Sequence, residues 1–383
     1  MEQTLGLYLH IPFCVQKCNY CDFCSAPATK ERRDAYVEAL CRHLIAASEK
    51  TRDHKVDTVY FGGGTPTVLT PPDFSRILDT VKAHYDLAPN AEITTECNPV
   101  TRCDGLFEGL LAAGVNRLSI GLQSIHEKEL RLLGRLHGYE EFCDTFKAAR
   151  RAGFGNISAD VMFGIPAQTL QSFTQTLTAL CDLSPEHISA YGLRIEEGTA
   201  FHKNRSSLPL PDEDAEAEMA ELVATLLPAR GYARYEISNY ARPGKESRHN
   251  LRYWLRSPYL GFGPAAHSFF GGERFETPPD TAAYVEAVSK GDFETLAANR
   301  QRLSKTEERE EYVMLRMRLA QGIDKADFAH RFGTSFEECY GDPSALVRGG
   351  FLENTADRIA FTARGMQLSN AILSEWLDFG GIG

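Results

Sequence analysis

Residues 8–24 read Tyr8-Leu9-His10-Ile11-Pro12-Phe13-Cys14-Val15-Gln16-Lys17-Cys18-Asn19-Tyr20-Cys21-Asp22-Phe23-Cys24. The apolar run at 5–11 predicts a first strand, so the cysteines fall on a loop at that strand's C-terminal end. Four thiols within eleven residues are an oxidation hazard unless something occupies them. The spacing Cys14-x-x-x-Cys18-x-x-Cys21 lets one wrapping loop ligate three irons of a cubane [4Fe–4S] cluster. The fourth iron is then open to an amino and a carboxylate group from outside the chain, which fits S-adenosylmethionine. Two other arrangements satisfy the same thiols: a four-thiolate zinc site that includes Cys24, and a closed cluster bound by all four cysteines. Zinc knots, however, draw on two Cys-x-x-Cys pairs separated by a longer loop, which this stretch lacks.

Outward from this loop, short β-rich runs alternate with longer helix-like stretches. Strands are predicted at 5–11, 57–61, 91–97, 117–122, 157–163 and 187–193, with helical spacing of apolar residues at 30–50, 71–84 and 139–152. Strand–helix alternation repeated about six times implies a parallel sheet with crossover helices, either closing into a partial barrel or lying open. Residues 204–213 form a loop by composition, followed by a helix at about 215–227, a strand at 234–239 and a Gly/Pro-rich passage at 258–279. Beyond residue 280 the texture becomes helical and ends in a hairpin at 351–361. We therefore divide the chain into a core unit, 1–280, and an α-rich, winged-helix-like domain, 281–383. A chain of 383 residues is long enough for one large core and a smaller second one.

The charge balance, 41 Lys and Arg against 52 Asp and Glu, disfavours a polyanionic partner. Residues 300–383 carry 11 basic and 13 acidic side chains, so a nucleic-acid role for the winged domain is not expected. No apolar run approaches the roughly 20 residues that span a bilayer, and the first ten residues have no export signal. The chain reads as cytoplasmic. In that compartment thiols stay reduced, so Cys41, Cys97, Cys103, Cys143, Cys181 and Cys339 read as small core residues.

Further site candidates sit at or just beyond strand ends, where α/β barrels gather functional groups. Gly62-Gly63-Gly64-Thr65-Pro66 follows the second strand, and glycines let backbone approach a ligand closely. Glu96 ends the third strand, Gln123 follows the fourth, Arg135 lies in the next connection, and Asp160 sits in the fifth. A carboxylate suits ribose hydroxyls or a sulfonium, and Arg135 suits a carboxylate. Taken singly, each also reads as a satisfied structural group.

Tyr8-x-His10-Ile11-Pro12-Phe13-Cys14 followed by Cys18-Asn19-Tyr20-Cys21 resembles the radical S-adenosylmethionine superfamily. More narrowly it resembles the oxygen-independent coproporphyrinogen III oxidase (HemN-like) family, including its heme-chaperone branch, over nearly the whole chain. The resemblance implies a partial (β/α)6 barrel with a small C-terminal domain. It implies a [4Fe–4S] cluster on Cys14, Cys18 and Cys21. S-adenosylmethionine would lie against Tyr8, Tyr20, Gly63, Gly64, Thr65, Glu96, Gln123, Arg135, Asp160 and Gly192, its cleavage releasing a 5′-deoxyadenosyl radical. His10 is expected to brace the cysteine loop.

Two features separate the branches. The oxidases carry a Cys-x-Cys tail on the motif, whereas position 23 here is Phe, as in the chaperone branch. His249-Asn250-x-x-Tyr253-Trp254 matches a motif of the chaperones. An imidazole can ligate heme iron, and Tyr253 and Trp254 offer flat faces to a macrocycle, so these three are candidate heme contacts. Arg252 and Arg256 are candidates for the propionates, and His267 is a further candidate ligand. Against this stands a structural role for His249. The expected function is heme binding and transfer, with coproporphyrinogen oxidation as the alternative. The partners implied are heme or porphyrin, a heme-acceptor protein and an electron donor that the motifs do not specify.

Overall fold

Alternate positions along the early strands explain the main sheet. Leu7 and Leu9, Val59 and Phe61, Leu118 and Ile120, and Ala159 and Val161 are buried in one large core, while the residues between them are mostly polar. Period two puts these two sets on opposite faces, one against helices and one towards an interior. The computed structural model describes residues 3–101 and 104–377. Six parallel strands lie side by side in chain order: β1 (Gln3–Ile11), β2 (His54–Gly63), β3 (Asp86–Cys97), β4 (Arg117–Gln123), β5 (Ile157–Phe163) and β6 (His187–Gly192).

The two ends of this run do not pair with each other. Beyond β6 the sheet continues antiparallel through β8 (Asn239–Ala241) to β7 (Ala233–Arg234). Beyond β1 comes β9 (Tyr259–Phe262), parallel to it, then antiparallel β10 (His267–Phe270), β11 (Glu273–Glu276) and β12 (Ala298–Arg302). The partial six-unit barrel is therefore borne out, opened and extended on both flanks.

Helices at Lys30–Ser48, Pro71–His84, Tyr139–Ala152 and Glu213–Ala229 closely match the expected spans. Their limits are written locally: Pro71 opens its helix behind a Thr70/Asp73 capping box, and Gly153 closes another in the left-handed region. One expected strand is corrected. Residues 234–239 are not a single strand, because Arg234 bonds back to the carbonyls of Glu236 and Ile237 and turns the chain between β7 and β8.

The C-terminal unit has its own core around Tyr312, Phe328, Phe336, Ile359 and Leu373. Its hairpin, β14 (Leu352–Asn354) and β15 (Arg358–Phe361), pairs with β13 (Ile323–Asp324) as a small wing among helices. Tyr284, Val288 and Leu296 belong instead to the first core, and β12 is an edge of the large sheet. Residues 281–302 thus pack with the first unit, although their helical texture set the expected division at 280. Among the described residues no helix is long and apolar enough to cross a membrane.

Candidate functional site

The cysteine loop leaves β1 at the barrel mouth and is pinned from below. His10 on β1 bonds through Nε2 to the Cys24 carbonyl at 2.8 Å and through Nδ1 to the Tyr8 hydroxyl at 3.1 Å. A carbonyl only accepts, so Nε2 carries the hydrogen, and the neutral ring favoured by burial accepts the Tyr8 proton at Nδ1. His10 therefore braces the loop as expected. Tyr36 adds a hydrogen bond to the His10 carbonyl.

The glycine run crosses directly over this loop. Gly64 N–H donates to the Ile11 carbonyl at 2.9 Å, Thr65 N–H to the Phe13 carbonyl at 2.7 Å, and the Thr65 hydroxyl reaches Cys14 Sγ at 3.5 Å. A Cβ on Gly64 would stand 2.4 Å from the Phe13 carbonyl oxygen and 3.0 Å from Cys14 Sγ. The glycine is required for this close approach.

Together these segments enclose a cavity of about 180 Å³. Cys14, Cys18 and Cys21 line it, with Tyr20, Gly63, Gly64, Thr65, Glu96, Gln123, Arg135 and Asp160 around them. Eleven predicted residues thus converge on one space from five strands and their connections. Tyr8 lies behind it as the His10 partner, and Gly192 lines a larger neighbouring cleft. Cys24 does not face this cavity, since its Sγ points to the Pro279 carbonyl at 3.5 Å. Cys41 and Cys181 are core residues, Cys97 is buried in the cavity wall, and Cys143 and Cys339 are half-buried. Cys103 lies outside the described residues.

The electrostatics suit a cationic, chelating guest. Burial pushes the Glu96 carboxyl up to about 8, against the Tyr60 hydroxyl that donates to it at 3.0 Å. Burial also raises Asp160, which Ser119 holds at 3.1 Å and Ser189 bonds as well. Both acids are therefore set to gain from an approaching positive charge. Arg135 reaches the Gly121 carbonyl at 2.9 Å and Cys18 Sγ at 3.7 Å, and its buried Nε has no partner among the described residues. Burial holds the Cys21 thiol up at about 11, so a metal must compensate its charge. Gln123 ends β4 at φ 69°, beside a register shift against β5, and the Tyr191 hydroxyl fixes its amide at 3.2 Å. Three thiols, two under-compensated acids and an orphaned guanidinium N–H fit a cluster with a bound amino-acid sulfonium.

Several contributors were not singled out from sequence: Tyr60, Ser119, Ser189 and Tyr191. Their signal was parity, since each lies on the polar, inward set of its strand.

The His249–Trp254 segment, expected to contact heme, lies apart from this cavity. It forms a helix, Arg248–Trp254, that plugs the barrel below Tyr8 and Tyr60. His249 is 0% exposed, bonded at Nδ1 to Thr58 (2.9 Å) and at Nε2 to Tyr253 (2.9 Å), and stacked on Tyr60. Its backbone N–H donates to Glu92 at 3.0 Å. Burial, with Arg117 nearby, drives its pKa down to about 3. Neither nitrogen is open to an iron, and Tyr253 stands edge-on to both His249 and Tyr259. Trp254 is half-buried at the end of the same plug. The two arginines are also engaged, Arg252 with Asp57, Thr58 and the Pro258 carbonyl, Arg256 with Glu308 and Glu311. His267 lies exposed on β10, 3.4 Å from Glu276.

Residues 8–180 match the radical SAM superfamily, and residues 303–368 match the HemN C-terminal domain. The chain is similar to the heme chaperone HemW of Bacillus subtilis (strain 168), 34% identical over 379 residues that cover 97% of this chain and 98% of that one. It is 36% identical over 379 residues to the heme chaperone HemW of Escherichia coli (strain K12), with the same coverage of 97% and 98%. The solved structure of coproporphyrinogen III oxidase (HemN) from Escherichia coli, described as a radical SAM enzyme, aligns with a TM-score of 0.85. That alignment covers 98% of this chain and 90% of the other at 23% identity, a likeness of fold.

Proposed function

Because the chain belongs to the HemW heme-chaperone family of the radical SAM superfamily, we propose that it binds heme in the cytoplasm and passes it to an acceptor protein. The observation that carries this reading is likeness to those chaperones along the full length of both chains. The cavity residues are read with it. Cys14, Cys18 and Cys21 would hold a [4Fe–4S] cluster, and S-adenosylmethionine would occupy the remaining space. When bound, the pair supplies one-electron reductive cleavage of the sulfonium C–S bond.

This chain's own residues then position and screen. Glu96 and Asp160 receive positive charge and ribose hydroxyls, while Arg135 takes a carboxylate and supports Cys18. Gln123, fixed by Tyr191, orients a polar edge, and the Gly63–Thr65 backbone closes one wall. Tyr8 acts through His10 on the position of the cysteine loop.

The test is anaerobic reconstitution with iron and sulfide, heme titration followed at the Soret band, and mixing with an excess of an apo-hemoprotein. Saturable binding near one heme per chain and movement of heme to the acceptor are expected. Absence of saturable binding overturns the reading. Coproporphyrinogen oxidation stays the alternative, and protoporphyrinogen formed at catalytic turnover by the same sample would establish it.

A further inference from the structure

A third space lies apart from the thiol-lined cavity and from the larger cleft in which the two units meet, sharing no lining residue with either. It holds about 440 Å³, within the range of small-molecule sites, roughly 300–1,000 Å³. One wall is the helix Lys30–Ser48 with the turn Glu49–Thr51 that follows it; β9, β10 and β11 make another, and residues 293–302 close a third side. The sequence itself opens the space. His43, Ala46, Ala47 and Lys50 recur at helical spacing, so one face sets two small side chains between two polar ones. Across from them Phe262, Phe270, Phe275 and Phe293 supply aromatic surface, and the last three are only half-buried.

The polar groups on this lining are incompletely matched. The His43 ring lies between Phe262, edge-on at 4.9 Å, and Phe293, stacked at 6.0 Å. Burial brings its pKa down to about 4, so the ring is neutral and carries one N–H. Nδ1 stands 3.1 Å from the Tyr284 hydroxyl, which is buried and has no other hydrogen-bond partner among the described residues. That hydroxyl proton therefore goes to Nδ1, and the ring hydrogen sits on Nε2. Nε2 has no partner among the described residues and is not sealed by protein atoms, so its N–H is open to the cavity that the ring lines. At the rim Lys50 makes no ion pair among the described residues, while Arg300 and Arg302 share the single carboxylate of Glu273 at 3.4 and 3.3 Å. Three cations thus stand against two acids, Glu273 and Glu294, around an aromatic and aliphatic interior.

We propose that this space binds a small amphipathic monocarboxylate, its apolar body against the phenylalanine rings and its carboxylate between His43 Nε2–H and Lys50. Apolar burial supplies the attraction for a chain or single ring of about eight to ten carbons. An N–H donor with no acceptor of its own selects an oxygen and turns away an ammonium, and the cationic rim prefers that oxygen charged. The assignment does not depend on the reading of the chain as a heme carrier.

The experiment titrates the full-length, reconstituted protein calorimetrically with octanoate, 1-octanol and octylammonium. Octanoate is expected to saturate at one per chain, and the alcohol and the amine to bind about tenfold more weakly or worse, the scale of one charge-assisted contact. Ala47→Trp fills the space and is expected to abolish octanoate binding. His43→Phe keeps the ring packing without the donor and should weaken octanoate about tenfold. Lys50→Ala, at an exposed position, should weaken octanoate about fivefold and leave octanol unchanged. Melting temperatures establish which variants are folded, and Lys50→Ala decides alone if the two interior variants are not. Absence of saturable octanoate binding, equal affinity for octanol, or octanoate affinity unchanged in the folded variants overturns the assignment.

Discussion

Glu96 ends β3 with its carboxyl buried under the cavity, raised from about 4.5 to about 8 by loss of water, while Tyr60 and the Gly63 backbone pull the other way. Between those values the folded chain keeps a proton that the unfolded chain releases. The group therefore lowers stability progressively as pH rises through that window and has no such effect below it. In metal-free protein, Glu96→Gln is expected to melt increasingly above wild type as pH goes from 5 to 8. A difference in melting temperature independent of pH would contradict this. Gly64 has a separate constraint, since any Cβ meets the Phe13 carbonyl and Cys14 Sγ. Gly64→Ala should displace Cys14 and lose most of the reconstituted iron, read by iron and acid-labile sulfide analysis. Retention of full iron would show that the loop can shift freely.

At the scale of elements, the helix Arg248–Trp254 is a plug held on several sides. Ser247 caps it, Glu92 accepts its first free N–H groups, and His249 joins it to β2. Removing the ring leaves the Tyr253 hydroxyl without its partner, takes one of two partners from Thr58 and opens a void. His249→Ala should cost about 2–4 kcal/mol in chemical denaturation. Its effect on heme binding should be confined to that loss of stability. The neighbouring strands show why polar groups reach the cavity: Ser119, Gly121, Asp160, Ser189 and Tyr191 occupy inward positions, with the apolar residues between them facing the helices.

At the scale of the molecule, the two units are joined by charge as well as by the cleft. Glu311 of the C-terminal unit pairs with Arg256 and Arg274, and Arg256 is itself largely buried. Glu311→Gln leaves two guanidinium groups under-compensated and should lower stability by on the order of 2 kcal/mol. It should also speed proteolytic cleavage between the units. Unchanged denaturation and proteolysis would mean that the apolar contacts alone hold them together.

Within a few residues, local pattern determined the cysteine loop, the glycine run, the strand–helix alternation and most helix limits. Each is decided by a spacing, a cap or a backbone conformation short enough to read from neighbours in the chain. Tertiary structure alone decided that the six-strand run stays open, that Cys24 turns towards Pro279, and that His249 is enclosed. The partners that bury His249 lie far away in sequence, 157 residues in the case of Glu92 and 191 in that of Thr58. Period two marks two faces on a strand, but only the assembled sheet and its plug determine which polar groups share one cavity and which are satisfied elsewhere.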